Sequence, residues 1–367
     1  MNFKFEMPTR IFTGRLRGYA REFSGYGDRA LIVTGQSSSA NGALDDVLYI
    51  MNDLHVAAHV FNGVEENPSV ENVMEAVRSG RGFGAEFIVG IGGGSPLDAA
   101  KAAALLIPNP DKSGADLWRA DSLEGRPRLP MLAVPTTAGT GSEVTPFAIL
   151  TSHKRRTKAS LPCLVFPEKT FLDAAYTAHM PDAVTLHTAA DALSHLIEGY
   201  LGSRASLLSD RLAEGGLAEY GADGGTLMTC LSERRFDMAV REKLLINSTL
   251  AGIVISQTKT TLPHQMGYPL TYYQKLSHGA ACGLLLAEYM RFHQNKEKTD
   301  SVLRMLGMPG IDAFKEWMLG ILDVHCAITP EEAQEYTQEI CSKPEKLKTH
   351  PFPATPEDVL GIYMRSL

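Results

Sequence analysis

The run E-F-I-V-G-I-G-G-G-S-P-L-D-A-A-K, residues 86–101, constrains this chain most. An apolar stretch breaks into glycines, and a helical pattern opens at once. Strand passing so directly into helix is the junction of a parallel α/β sheet. Ser95 reads as the helix N-cap, with Pro96 at the first helical position and Asp98 three residues past the cap. Gly92, Gly93 and Gly94 let backbone approach a ligand closely, and free N–H groups at a helix start favour an anion. The turn therefore reads as a pyrophosphate site. It is not the G-x-G-x-x-G fingerprint, because the sixth position from Gly90 is Ser95. A tight strand-to-helix turn without a ligand is the other reading.

The same alternation runs through the first half. R-A-L-I-V-T-G (29–35), H-V-A-A-H-V-F-N-G (55–63) and L-P-M-L-A-V-P-T-T (129–137) read as further strands, with amphipathic helices between them. F-K-F-E-M-P-T-R-I-F-T-G near the start suggests a short strand pair, and Q-S-S-S-A-N-G after Gly35 a loop. Ser69 is placed to cap the helix that follows N-P-S. Beyond about residue 175 the pattern is helical nearly to the end. The expectation is an α/β N-terminal dinucleotide-binding domain with a parallel sheet, residues 1–175, then an all-α domain, residues 176–367. The cleft between such domains is the natural place for a site.

A chain of 367 residues fits two domains. A net charge of −7 without a basic stripe argues against nucleic acid and anionic membranes. No apolar run is long enough to span a bilayer, and the charged N-terminus lacks a signal-peptide core. Five scattered cysteines (Cys163, Cys230, Cys282, Cys326 and Cys341) with no C-x-x-C fit a reducing, cytoplasmic setting and read as small core residues.

T-T-A-G-T-G-S-E, residues 136–143, follows the strand ending near Pro135. Ligands of doubly wound sheets lie at the carboxyl ends of strands, so Thr136, Thr137, Thr140 and Ser142 could line a nucleotide there. Taken alone, the segment could equally be a polar loop. Further on, Asp191 and His195 sit four apart in a helical pattern and project from one face. His264 and His278 follow in apolar, Gly- and Tyr-rich surroundings. One carboxylate and three imidazoles suit a borderline divalent ion such as Fe(II) or Zn(II), although a hydrogen-bonded Asp–His pair on a helix has the same spacing. His187, four residues before Asp191, could support such a site from behind. The remaining histidines show no partner spacing.

These segments converge on a family. G-G-G-S-P-L-D-A-A-K, P-T-T-A-G-T-G-S-E-V-T, D-A-L-S-H-L-I-E-G-Y and the His264/His278 pair, in that order, resemble the iron-containing (group III) alcohol dehydrogenases over nearly the whole chain. The resemblance implies a dehydroquinate synthase-like architecture whose helical domain holds the metal. It places the metal ligands at Asp191, His195, His264 and His278. It also implies a cytoplasmic homodimer acting on a small primary alcohol, diol or matching aldehyde. Iron is the metal it implies, with zinc the alternative that the ligand types allow. On the nicotinamide side of the cleft, Phe147, Lys158 and Leu172 could contribute.

Two positions depart from the family pattern. Where many members carry a proton-relaying histidine four residues after the third ligand, this chain has Tyr268. Its hydroxyl can donate a hydrogen bond but is a poor base near neutral pH, so Tyr268 either assists proton transfer or packs in the cleft. Where NAD-preferring members often end the second strand with an acid, this chain has Gly35, followed by Gln36 and Ser37. With no carboxylate to repel a 2′-phosphate, NADP(H) is expected over NAD(H). A zinc-dependent glycerol dehydrogenase and a dehydroquinate synthase-like lyase share this architecture. The lyase needs a cleft lined by Lys and Arg, and residues 176–290 supply few.

Overall fold

Six parallel strands are knit together by pairings far apart in sequence. They are β1 (Arg10–Thr13), β2 (Arg29–Thr34), β3 (Ala57–Phe61), β4 (Phe87–Gly92), β5 (Met131–Pro135) and β8 (Lys169–Leu172). Their order is β1-β8-β5-β4-β2-β3. A separate antiparallel pair joins β6 (Ile149–Ser152) and β7 (Thr157–Ser160). The computed structural model describes residues 4–154, 157–221, 226–342 and 347–367. The chain forms two compact units, Met7–Met180 and Pro181–Leu367, the second joined by the described residues up to Glu6.

In the first unit, burial on both faces explains the continuous apolar strands. Leu31, Val33 and Ile88 enter one core with Val73 and Val77 of α2 (Val70–Phe83) and the alanines of α3 (Gly94–Leu106). Ile32, Val89, Ile91 and Val134 enter the other with Val47 and Ile50 of α1 (Ala43–Asp53). Ser69 caps α2 as expected, accepting from the Asn72 N–H.

Three local expectations are corrected. Among the described residues no strand pair forms near the N-terminus; β1 instead pairs in parallel with β8, about 160 residues away in sequence. Ser37–Ala40, expected as loop, makes one turn of helix. Ser95 is not an N-cap. The cap is Gly93, whose carbonyl accepts from the Leu97 N–H, and α3 begins at Gly94. The Ser95 hydroxyl accepts instead from the Asn67 N–H.

In the second unit every regular element among the described residues is a helix. Its centre is α4 (Asp182–Leu201), buried on nearly every side from Thr185 onward, which is why its sequence shows little amphipathic contrast. Packed against it are α5 (Leu207–Gly221), α7 (Met238–Thr258) and α9 (His278–Phe292). Between the last two in sequence lies α8 (Leu262–Tyr273), which packs on α9; α6 (Leu227–Ser232) is a short preceding turn. The crossing of α4 and α9 is backbone-close: a side chain at Gly279 would collide with the His187 carbonyl. Next come α10 (Lys296–Met305), α11 (Ile311–Leu322), α12 (Pro330–Cys341) and α13 (Pro356–Ser366). No described helix is long and apolar enough to cross a membrane.

Candidate functional site

In the helical unit, α4, α8 and α9 bring four separated residues together around one carboxylate oxygen. Asp191 Oδ1 lies 3.5 Å from His264 Nε2, 3.9 Å from His195 Nε2 and 3.9 Å from His278 Nε2. The His195 and His264 rings stack, with centroids 4.6 Å apart. These separations exceed hydrogen-bonding distance. Yet Asp191 Oδ1 and His264 Nε2 are buried and have no hydrogen-bond partner. Orphaned buried polar atoms carry a desolvation cost, unless a further group completes them. Oxygen and nitrogen donors about 2.1 Å from a shared ion stand about 3.4 Å apart in a tetrahedron, close to the spacing here. The donors therefore fit a divalent metal. Burial alone would raise the Asp191 carboxyl, but His195, His278 and His264 hold it well below the usual carboxylate range.

Access is one-sided. The side chains of Asp191, His195 and His264 are at most 5% exposed, whereas His278 is 26% exposed. Tyr268, half-buried, lies flat on the His278 ring with an interplanar angle of 9°.

Two groups that sequence reading passed over lie beside the cluster. Glu198 is fully buried, seven residues after Asp191 and three after His195, and so on the same face of α4. Its Oε1 accepts from His264 Nδ1 at 2.5 Å, while Oε2 accepts from the Thr261 N–H and hydroxyl. One carboxylate thus caps the start of α8 and fixes the His264 tautomer, leaving Nε2 to face Asp191. Burial would lower the His264 proton affinity; Cys282, Glu198 and Asp191 raise it well above the usual imidazole range. The helical period was the available signal for Glu198.

The second group is Cys282, one turn after His278 on α9. Its sulfur is 3.9 Å from His278 Nδ1 and 4.0 Å from Nε2. Among the described residues, donor atoms of Asp191, His264, His278 and Cys282 lie within 4.8 Å of one another. Burial pushes the thiol up to about 11, opposed by His264, so it is neutral near pH 7 while the site holds no ion. Cys282 is buried, as a core cysteine is expected to be, and its four-residue spacing from His278 repeats that of Asp191 and His195.

His187 supports the cluster from behind. Its Nε2 donates to the Leu322 carbonyl at 2.9 Å, so Nδ1 accepts from the Ser277 hydroxyl at 2.7 Å. Ser277 is the N-cap of α9, immediately before His278.

In the sheet unit, the carboxyl ends of β4 and β5 face each other. Gly92 has φ 142°, a conformation that favours glycine. A Cβ at Gly93 would meet Thr137 Oγ1 at 2.9 Å, and one at Gly94 would meet Thr140 Cγ2 at 2.9 Å. The threonine loop thus packs directly on the glycine turn at the N-terminus of α3, too close for a side chain at Gly93 or Gly94. The Thr136 N–H donates to the Gly92 carbonyl. Gly35 ends the neighbouring β2, close to Pro96 of α3, with Gln36 and Ser37 exposed beyond it.

Other expected contact residues already have work inside the fold. Asp98 accepts from the Ser142 hydroxyl at 2.6 Å and the Ile149 N–H at 2.8 Å. Buried Lys101 donates to Ser142 Oγ and the Phe147 carbonyl, both at 2.7 Å. Asp98, Ser142 and the Phe147 backbone therefore brace the loop from within. Lys158 donates to Asn67 Oδ1 at 2.6 Å, and the Asn67 N–H binds Ser95, tying the β6–β7 hairpin to the glycine turn. Leu172 is buried at the end of β8.

A parallel-sheet unit followed by a helical unit is consistent with the dehydroquinate synthase-like class of folds. Within that class, the model for "Iron-containing alcohol dehydrogenase" matches residues 8–174, and the family's C-terminal model matches residues 185–365. The chain belongs to this family and is an oxidoreductase of the alcohol dehydrogenase type. A solved iron-containing alcohol dehydrogenase from Thermotoga maritima is 38% identical, with TM-score 0.89 over 100% of this chain and 99% of that one. The probable alcohol dehydrogenase EutG of Escherichia coli is 33% identical over 81% of this chain and 76% of its own length. The NADPH-dependent butanol dehydrogenase of Clostridium saccharobutylicum is 28% identical, covering 84% and 79%. NADH-dependent butanol dehydrogenase B of Clostridium acetobutylicum is 31% identical, covering 81% and 77%.

Proposed function

We propose that the protein interconverts a small primary alcohol or diol and the matching aldehyde, using NADP(H) and a divalent metal, with iron the metal implied by the family. The observation that carries this reading is the pair of buried, unpartnered donor atoms, Asp191 Oδ1 and His264 Nε2, converging with His278 and His195.

In the oxidising direction the carbinol carbon gives a hydride to the nicotinamide, and the hydroxyl proton leaves to solvent. When bound, the metal supplies Lewis acidity towards the substrate oxygen. The nicotinamide supplies the hydride acceptor. Asp191, His195, His264 and His278 would hold the ion. Glu198 keeps the His264 proton on Nδ1, so Nε2 is free to act as a donor. Asp191 adds negative charge where a cation is needed, and its low proton affinity keeps it ionised. The His278 side is where substrate would enter, with Tyr268 as part of the wall.

Gly92, Gly93 and Gly94, with Thr137 and Thr140 opposite, would seat the pyrophosphate. Relatives carry either cofactor in their names, so the preference rests on this chain's own loop. Gly35 to Asn41 contains no carboxylate, while Gln36 and Ser37 offer hydrogen bonds to a 2′-phosphate.

His264→Ala tests the assignment. It should abolish turnover and metal retention after dialysis while leaving NADP binding unchanged. Full metal content in that variant would contradict it.

A further inference from the structure

Cys282 stands among the donors but outside the family's ligand quartet. His278 and Cys282 are one turn apart on α9, so both side chains leave the same face of that helix. The position opposite the sulfur is Gly267, where an added Cβ would stand 3.2 Å from Sγ. Glycine there leaves room for the large atom. The sulfur is fully buried, and its neighbours Asp191 Oδ1 and His264 Nε2 are the orphaned atoms of the centre. Sulfur and nitrogen sharing one tetrahedral ion stand about 3.6 Å apart, given about 2.3 Å and 2.1 Å to the ion. The Sγ to His278 Nε2 distance is 4.0 Å, a few tenths longer.

We propose that Cys282 is a metal donor, closing Asp191, His264 and His278 around thiophilic divalent ions such as zinc, cobalt or cadmium, with His195 left outside that set. The proposal rests on the metal-centre reading above. Binding releases the thiol proton to solvent and forms the sulfur–metal bond. Soft sulfur selects zinc and its congeners over harder ions. A thiophilic ion would thus be held by a donor set different from the one proposed for iron.

The test is cobalt(II) titration of metal-free protein under anaerobic conditions, read by absorption. Wild type should show a sulfur-to-cobalt charge-transfer band together with the visible ligand-field bands. Cys282→Ser should lose the first and keep the second, with its fold verified by circular dichroism. Cys282→Ala should behave alike. His195→Ala should retain the charge-transfer band. Ligand-field bands in wild type without charge transfer, or a charge-transfer band surviving in Cys282→Ser, would overturn the thiol donor while leaving the metal centre intact. Failure of His195→Ala to bind cobalt would overturn the exclusion of His195. No cobalt absorption in wild type would overturn both the thiol and the centre.

Discussion

Glu198 Oε1 accepts a 2.5 Å hydrogen bond from His264 Nδ1, and neither residue is more than 2% exposed. This one contact sets which ring nitrogen faces Asp191. It also ties the ring to the start of α8, because the second carboxylate oxygen holds Thr261. Glu198→Gln keeps the volume and removes the charge. Metal affinity should fall by about 10- to 100-fold, as for other carboxylates behind metal-binding histidines, with NADP affinity unchanged. Competition against a chelator measures this. Wild-type metal affinity in Glu198→Gln would show that the contact only packs.

Cofactor choice should answer to the end of β2. Gly35→Asp introduces a carboxylate where a 2′-phosphate is expected, so the NADP/NAD ratio of kcat/KM should fall by about tenfold or more, roughly 1.4 kcal/mol of discrimination. A new side chain at Gly35 comes within 3.3 Å of the Val64 carbonyl, so Gln36→Asp serves as the companion variant. Unchanged ratios in both would show that this loop does not read the 2′ position.

Tyr268 stacks on His278, and a phenyl ring can do the same. Tyr268→Phe should therefore hold kcat within about threefold, since the hydroxyl, with a reference pKa of about 10, is a poor base at neutral pH. A loss of about 100-fold, the lower range for a general acid or base, would assign the proton transfer to this hydroxyl.

Away from the centre, His293 and His350 form a buried pair among Tyr289, Phe292 and Phe352. Burial, reinforced by His293, lowers His350 to about 4. The unfolded chain takes up this proton near pH 6.5 and the folded chain only near 4, so protonation favours unfolding between those values. Stability from this residue is complete above about pH 6.5, falls as pH drops towards 4, and is level below. The loss is on the order of 3 kcal/mol at most. Urea unfolding from pH 7.5 to 4.5 should show a shallower pH slope in His350→Gln than in wild type. Equal slopes would place the acid sensitivity elsewhere.

Much of this molecule was legible from local pattern. The strand-to-helix alternation and the glycine turn follow from residues adjacent in sequence. Asp191 and His195 share a face because they are four apart; His264 and His278 stood out in apolar, Gly- and Tyr-rich surroundings, and family resemblance joined the four as one ligand set. What escaped was non-local. The partner of β1 lies beyond residue 168, so no local pattern near the N-terminus could announce it. The Ser95 hydroxyl is engaged by Asn67, 28 residues earlier, and no helix-capping rule sees that contact. Short, polar β6 and β7 gave no clean alternation. Glu198 and Cys282 were in principle visible, at helical spacing from His195 and His278, but each looks like ordinary core or surface until α4, α8 and α9 are packed together.

As proposed, the protein is a metal-dependent reductase that uses NADPH. Its most direct measurement is the anaerobic reduction of butanal by metal-free and Fe(II)-reconstituted protein, with NADPH and NADH compared by loss of nicotinamide absorbance. Turnover is expected only after iron is restored, and faster with NADPH. Turnover with NADH alone would discard the cofactor reading and keep the dehydrogenase. Equal turnover with and without metal would contradict the account at its centre.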